Sequence, residues 1–195
     1  MKKALLLLLL LPTLAFSQTL RDSVKVKTQI YEICYSEKLE SPLWVKYTVQ
    51  CPNGTASRAG MDFYTESNIH TSDNADYAAN VYDKGHMAPA ADFNCDKPML
   101  KQTFSYVNCA LQNQYLNRGV WRILEMQERT WALTQPVSVT IVVEFDKSST
   151  KLPSGATIPS GFYKTVFLEK TKTTYKYYFP NIKPTKSQFA DYLIK

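Results

Sequence analysis

The sequence has few of the residues on which metal and redox chemistry commonly depend. Histidine occurs only twice in 195 residues, as His70 and His86. The four cysteines include no pair with the close spacing of a structural zinc site. After the first residues no apolar run is long enough to span a bilayer, and neither an internal repeat nor a strongly basic amphipathic helix is present. These absences disfavour a zinc module, a membrane-spanning protein and a membrane-active peptide.

The first residues have the pattern of an export signal. Lys2 and Lys3 are followed by an uninterrupted apolar run over residues 4–11, and small residues occur near Ser17. The run is short for a membrane anchor, and no cysteine follows it closely enough to carry a lipid. The sequence therefore predicts a signal peptide over residues 1–17, cleaved near Ser17, and a secreted or periplasmic protein. The remaining residues 18–195 have the length of one domain.

Four cysteines in an exported chain suggest disulfides, and four allow three pairings. We expect sequence neighbours to pair, Cys34 with Cys51 and Cys95 with Cys109. The formal net charge of +6 is compatible with an anionic partner such as nucleic acid or a membrane surface, although many exported proteins are basic without such a partner.

Hydrophobic patterning predicts both strands and helices. Residues 28–36 and 43–50 should form a hairpin, and residues 55–79 a long polar segment. Later strands are expected at 137–145, 162–169 and 173–179. The predicted helices cover 98–104, 114–131 and 185–193.

The segment from Tyr82 to Phe93 (YDKGHMAPAADF) is the strongest candidate for chemistry. An acid, a base and a histidine lie within four positions, and histidine is the side chain best suited to proton transfer near neutral pH. Gly85 permits a bend or a close backbone approach beside His86. An ordinary turn containing a histidine is the alternative.

Other polar residues are weaker candidates. Asn117 and Glu125 lie on one stripe of the predicted helix and could address one site, or form an ordinary polar edge. Arg58 in the polar segment is a candidate phosphate contact. His70, in the same segment, has the surroundings of a solvated loop histidine.

These segments together resemble the DNA/RNA non-specific endonucleases, the ββα-metal nucleases that include endonuclease G. Residues 83–93 (DKGHMAPAADF) match the family's D-R-G-H signature. The second family motif matches residues 108–125 (NCALQNQYLNRGVWRILE) at the appropriate distance. The resemblance extends over most of residues 18–195. It implies an α+β fold with a mixed, mainly antiparallel sheet and a ββα-metal catalytic element.

The resemblance also implies roles for individual residues. His86 would be the general base, and Asn117 the direct ligand of Mg²⁺, for which Mn²⁺ is an expected substitute. Glu125 would orient the waters of the metal, and Asn108 would hold either the substrate or the surroundings of the histidine. The implied activity is an exported, sugar-non-specific endonuclease acting on DNA and RNA and leaving 5′-phosphates.

The chain also departs from the family pattern. Lys84 replaces the arginine of the signature, so a point charge stands where the family has a bidentate fork. Arg58 is the candidate for the family's upstream arginine. The chain ends at Lys195, near where many relatives continue into another helix. The main alternative is therefore a catalytically weak or inactive nucleic-acid-binding module on the same fold. An exported structural or adhesion domain would leave the two motifs unexplained.

Overall fold

The computed structural model describes residues 19–194, and the predicted signal peptide lies outside them. This part of the chain forms ten strands and three α-helices. The strands are β1 (Val24–Lys27), β2 (Tyr31–Ser36), β3 (Ser41–Thr48), β4 (Tyr82–His86), β5 (Cys109–Asn113), β6 (Val137–Glu144), β7 (Thr150–Lys151), β8 (Thr157–Ile158), β9 (Gly161–Leu168) and β10 (Thr173–Pro180). The helices are α1 (Lys97–Gln102), α2 (Gln114–Leu116) and α3 (Arg122–Ala132).

Six strands form one antiparallel sheet in the order β1-β2-β3-β6-β9-β10. The strands alternate between buried and solvent-facing side chains, because successive residues of a strand point to opposite faces. The buried face carries Val45, Ile141 and Val166, which pack in the core. β4 pairs separately with β5, and the helical segment follows β5 directly, giving the ββα element. The expected α+β, mainly antiparallel fold is confirmed.

The predicted helix over residues 114–131 is interrupted. The segment Asn117–Trp121 joins α2 to α3 across a kink at Gly119, whose φ of −101° and ψ of −121° are not helical. Because of the kink, α3 does not continue the side-chain stripe of one regular helix. Ile123, at the start of α3, is 41% exposed, whereas Trp121 is fully buried.

A buried ion pair connects the helical segment to the sheet. Lys164 of β9 and Glu128 of α3 are both fully buried, and their charged groups lie 2.9 Å apart. The Lys164 ammonium also lies 4.4 Å from the centre of the Trp121 ring. Removing charges from water has a high free-energy cost that such contacts only partly offset, so the pair constrains the helix position more than it adds stability.

Two expectations are wrong. The last predicted helix is only a short 3₁₀ turn, Phe189–Tyr192, whose rings pack against the aromatic residues of β10. The disulfide joins Cys51 to Cys95, while Cys34 and Cys109 are buried free thiols. The carbonyl of Asp92 accepts hydrogen bonds from the backbone at residues 50 and 51, which brings the Cys95 segment alongside β3. Cys34 and Cys109 are held inside separate strand pairs.

Within residues 19–194, no helix has both the length and the apolar character needed to cross a membrane.

The disulfide should contribute substantially to stability, because it closes 44 residues of sequence. The chain-entropy model gives about 4 kcal/mol for a loop of this length. We expect Cys51→Ser to lower the free energy of unfolding by an amount of that order in urea titrations. Cys34→Ser, which removes a buried thiol without breaking a bond, is the control. Peptide mapping without reductant that recovered a bridge to Cys34 or Cys109 would contradict the assignment.

Candidate active site

His86 is positioned by close pairing of β4 with β5, opposite Cys109. The neighbouring Gly85 faces Ala110, and a Cβ atom at Gly85 would lie 2.5 Å from side-chain atoms of Gln112. A larger residue would therefore push the strands apart. The expectation that Gly85 permits a close backbone approach is confirmed.

Asn108 fixes the turn that follows His86. Its side-chain NH₂ donates to the carbonyl oxygens of Ala88 at 2.9 Å and Thr103 at 3.0 Å. Its side-chain oxygen accepts from the Ala88 backbone N–H at 2.8 Å. The side chain is fully buried and does not line the cleft described below. Of the two roles considered for Asn108, the structure favours holding the surroundings of the histidine over contacting substrate.

The side chain of Asp83 joins β4 to the helical segment. Its Oδ2 accepts from the Asn117 NH₂ group at 2.8 Å, and its two oxygens accept from Arg118 at 2.6 and 2.8 Å. Asp83 therefore braces the Asn117 side chain across the site. The hydrogen bond directs the Asn117 NH₂ group to Asp83, and Asn117 Oδ1 accepts no hydrogen bond from any residue between 19 and 194.

One cleft of about 700 Å³ brings together five of the six predicted site residues. They are His86, Lys84, Asn117, Glu125 and Arg58. Asn108 is the only one of the six that does not line the cleft. His70 is not part of the lining; its ring nitrogen lies 3.0 Å from Glu40.

His86 is held in its neutral form. Its ring packs against Phe63 and Phe104 with centroid distances of 5.1 and 5.3 Å. Its buried Nε2 has no hydrogen-bond partner among the described residues. Burial and the positive charge of Arg58 lower the pKa of His86 to about 4. The free Nε2 can therefore accept a proton at neutral pH.

Glu125 also lines the cleft. Burial raises the pKa of its carboxyl to about 7, and the nearby carboxyl of Glu128 acts in the same direction. Lys164 and Arg129 oppose this shift. A divalent cation in the cleft would favour the charged form further.

Lys84 is restrained by an aromatic cage formed by Phe63, Tyr77 and Tyr106. The ring centres lie 4.9, 5.8 and 5.6 Å from its ammonium nitrogen. The ammonium also donates to Oδ1 of Asn74 at 2.5 Å. Rings and an amide orient the charge of Lys84 without neutralising it, so the charge remains available to an anion in the cleft.

Several cationic residues of the cleft were not predicted from the sequence. Arg118, Arg122 and Arg129 join Arg58 and Lys84 in its lining, against the acids Asp83 and Glu125. Arg129 is held by an ion pair of 2.9 Å to the fully buried Asp92. The positions of Arg122 and Arg129, three before and four after Glu125, are those of one helix face, a signal that could have identified them.

The donor set fits a hard divalent cation. Such ions prefer oxygen ligands, and Mg²⁺ commonly keeps several waters and few protein ligands. The amide oxygen of Asn117 and the carboxylate of Glu125 border the same cleft. Within residues 19–194 no group of three His, Cys, Asp or Glu side chains could form a metal cage.

Known nucleases are similar to this chain in sequence. Residues 12–194 match the family model described as DNA/RNA non-specific endonuclease. The chain is 27% identical over 156 residues to mitochondrial endonuclease G of Bos taurus, covering 71% of this chain and 52% of that protein. It is 26% identical over 170 residues to a nuclease of Serratia marcescens, covering 80% of this chain and 63% of that protein.

Among solved structures, the chain is similar to one in the crystal structure of the EndoG/EndoGI complex, a structure that addresses the mechanism of EndoG inhibition. The TM-score is 0.74 at 24% identity, covering 88% of this chain and 80% of the other. This likeness supports the fold alone. The match to the endonuclease G relative spans about half of that protein's length.

The environment of His86 has a direct spectroscopic consequence. In the metal-free protein, NMR titration of the imidazole Cε1–H should give a pKa of about 4, so the ring stays neutral on acidification to about pH 5. Arg58→Ala should raise that pKa, because it removes a nearby positive charge. Arg21→Ala, a substitution outside the cleft, is the control. A pKa near 6.5 in the folded parent protein would contradict the buried environment.

Proposed function

This chain belongs to the DNA/RNA non-specific endonuclease family, and we propose that it is an exported, Mg²⁺-dependent endonuclease that hydrolyses phosphodiester bonds in DNA and RNA. One observation carries the proposal. Within residues 19–194, the buried Nε2 of His86 has no hydrogen-bond partner and the amide oxygen of Asn117 accepts no hydrogen bond, and both residues border one cleft with five cationic side chains. Together they offer a proton acceptor for a water molecule, an oxygen ligand for a cation, and positive charges for a phosphate.

In this mechanism His86 is the general base. Its neutral Nε2 accepts a proton from the attacking water, and the Asn108 side chain keeps the following turn in place during this transfer. Arg58, Lys84 and Arg122 bind phosphate oxygens, because cations neutralise the charge of the backbone. Contacts to phosphate carry no information on base or sugar, which accounts for the lack of specificity.

Asn117 Oδ1 would ligate Mg²⁺, with Mn²⁺ as a substitute, and Glu125 would orient the metal's waters. When bound, the ion would supply Lewis-acid stabilisation of the negative charge that develops on the phosphate and on the leaving 3′-oxygen. Asp83 fixes the amide of Asn117 in the orientation that ligation requires. The products would carry 5′-phosphates.

Export would follow cleavage of the signal peptide near Ser17. The Cys51–Cys95 disulfide supports this, because disulfides persist in oxidising compartments. An inhibitory protein partner is a further proposal, suggested by the solved EndoG/EndoGI complex.

Cleavage of supercoiled plasmid tests the activity. We expect nicking by residues 18–195 with Mg²⁺, no nicking with EDTA, and a loss of about 10²–10⁴-fold in rate for His86→Ala, because it removes the proton acceptor. His70→Ala, the other histidine, is the matched control and should retain activity. Nicking by His86→Ala at the parent rate would remove His86 as the base. A folded parent that binds DNA without cutting it under several divalent metals would favour the inactive binding module.

The role of Asp83 is tested by metal dependence. Asp83→Ala frees the Asn117 amide to rotate, so the Mg²⁺ concentration for half-maximal activity should rise about 10–100-fold, as is typical for lost support of a ligand. Asp83→Asn retains an acceptor for Asn117 without the charge that pairs with Arg118, and we expect an intermediate effect. An unchanged Mg²⁺ requirement in Asp83→Ala, with the fold preserved by circular dichroism, would contradict this role.

A further inference from the structure

The face of the six-stranded sheet opposite the core carries a row of aromatic and apolar side chains. Cross-strand register aligns Trp44 of β3, Val142 of β6, Tyr163 of β9 and Tyr178 of β10 as successive neighbours. The adjacent row of Val45, Ile141, Lys164 and Tyr177 is buried against the core. Because side chains alternate along each strand, the aromatic row points away from α3 and the cleft.

The row remains accessible to solvent. Val142 is 45% exposed and Tyr163 is 40% exposed. With strands about 4.8 Å apart, the four positions extend over roughly 14 Å. The Tyr163 and Tyr178 rings contact each other at a centroid distance of 4.7 Å. Trp44 and Tyr178 are partly exposed. We call this row of aromatic and apolar side chains the track.

Lysines border this track. Lys46 and Lys176 lie on the same sheet face in the neighbouring row, two residues along β3 and β10. Lys25 lies on that face beyond the β3 end of the track, paired with Cys34 of β2. All three are exposed. The ammonium of Lys46 lies 5.0 Å from the centre of the Trp44 ring.

Two acids accompany these lysines, and neither reverses the charge of the face. The Glu144 carboxylate accepts hydrogen bonds from the hydroxyls of Tyr163 at 3.3 Å and Tyr178 at 2.6 Å. Glu32 is paired in register with both Lys27 and Lys46. The face therefore keeps a positive balance beside its aromatic rings.

We propose that this outer sheet face binds a segment of single-stranded nucleic acid. Unpaired bases stack on the partly exposed ring of Trp44 and the exposed ring of Tyr163, and lysines beside the rings neutralise the phosphates. A second copy related by a two-fold axis fits less well, since an isologous contact would bring the lysine-bordered surfaces together.

The proposal rests on the proposed function in one respect, that the partner is nucleic acid. The track lies on the side of the sheet away from His86, so the strand held there is not at the bond being cut. Such a second contact raises the local concentration of long substrates near the cleft. It should therefore affect the KM for long single strands and leave kcat unchanged.

The test uses the His86→Ala protein in EDTA and a fluorescein-labelled oligothymidylate, with binding followed by fluorescence anisotropy. Combining Trp44→Ala with Tyr163→Ala should weaken binding about tenfold or more, because each stacking contact is lost. Tyr115→Ala removes an exposed tyrosine outside both the track and the cleft, and should bind as the parent does. Equal affinity of the double variant and the parent would overturn the proposal.

A second pair of variants leaves the aromatic residues in place. Lys46→Glu with Lys176→Glu should weaken binding and reduce the slope of log affinity against log salt by about 1.4, the value for two phosphate contacts on a single strand. Lys97→Glu with Lys151→Glu changes the net charge equally at exposed positions away from the track. Equal weakening by both pairs would indicate only a general charge effect and would overturn the assignment.

Sedimentation of the same proteins tests the competing occupant. A dimer that the aromatic double variant dissociates, with unchanged oligonucleotide affinity, would assign the face to a second copy and overturn the proposal. Loss of affinity in the track variants of a protein that never cuts plasmid would support the proposal while the nuclease function failed. When the track substitutions are made in the parent protein, which keeps His86, they should raise the KM for long single strands without changing kcat.

Discussion

The hydrogen bond between Asp83 and Asn117 is the contact on which the arrangement of the site depends. One partner belongs to the strand that ends in His86, and the other to the helical segment that carries Glu125. These two segments are separated along the chain by α1 and β5. Because Asp83 accepts from the amide nitrogen of Asn117, the amide oxygen is left for a cation, and the second acceptor position of Asp83 holds Arg118. The carboxylate of Asp83 thus orients two side chains of the cleft, the amide of Asn117 and the guanidinium of Arg118.

Burial shifts the pKa values of His86 and Glu125 in opposite directions. It lowers the pKa of His86, which then stays neutral, and raises the pKa of Glu125. A neutral imidazole can accept a proton, and a carboxyl with a raised pKa responds strongly to a nearby cation. The surplus of arginine and lysine in the lining supplies the field that an anionic substrate would meet. The two shifts therefore suit a site that operates with both a metal and a phosphate.

The support for this site includes charges placed in the core. Lys164 and Glu128 pair beneath the helix, and the buried Asp92 holds Arg129 at the cleft wall. Buried pairs of this kind are costly to desolvate and strict in their geometry. They define where α3 lies on the sheet, and so where Glu125 stands relative to His86. The same sheet leaves its other face to solvent, with an aromatic track at its centre.

Local patterns in the sequence were sufficient for every strand of the main sheet except β1, for the position of α1 and for a candidate set centred on His86, because alternation, helix spacing and short motifs are properties of neighbouring residues. They failed where distant segments decide the outcome. The partner of Cys51 depends on how the Asp92 turn docks beside the residues that follow β3, and the break in the predicted helix depends on a kink at Gly119 that the periodicity does not reveal. The aromatic cage of Lys84, the anchoring of Arg129 and the link from Asp83 to Asn117 all join residues far apart in sequence. Only tertiary structure determines such contacts, since they require several elements to meet at one point.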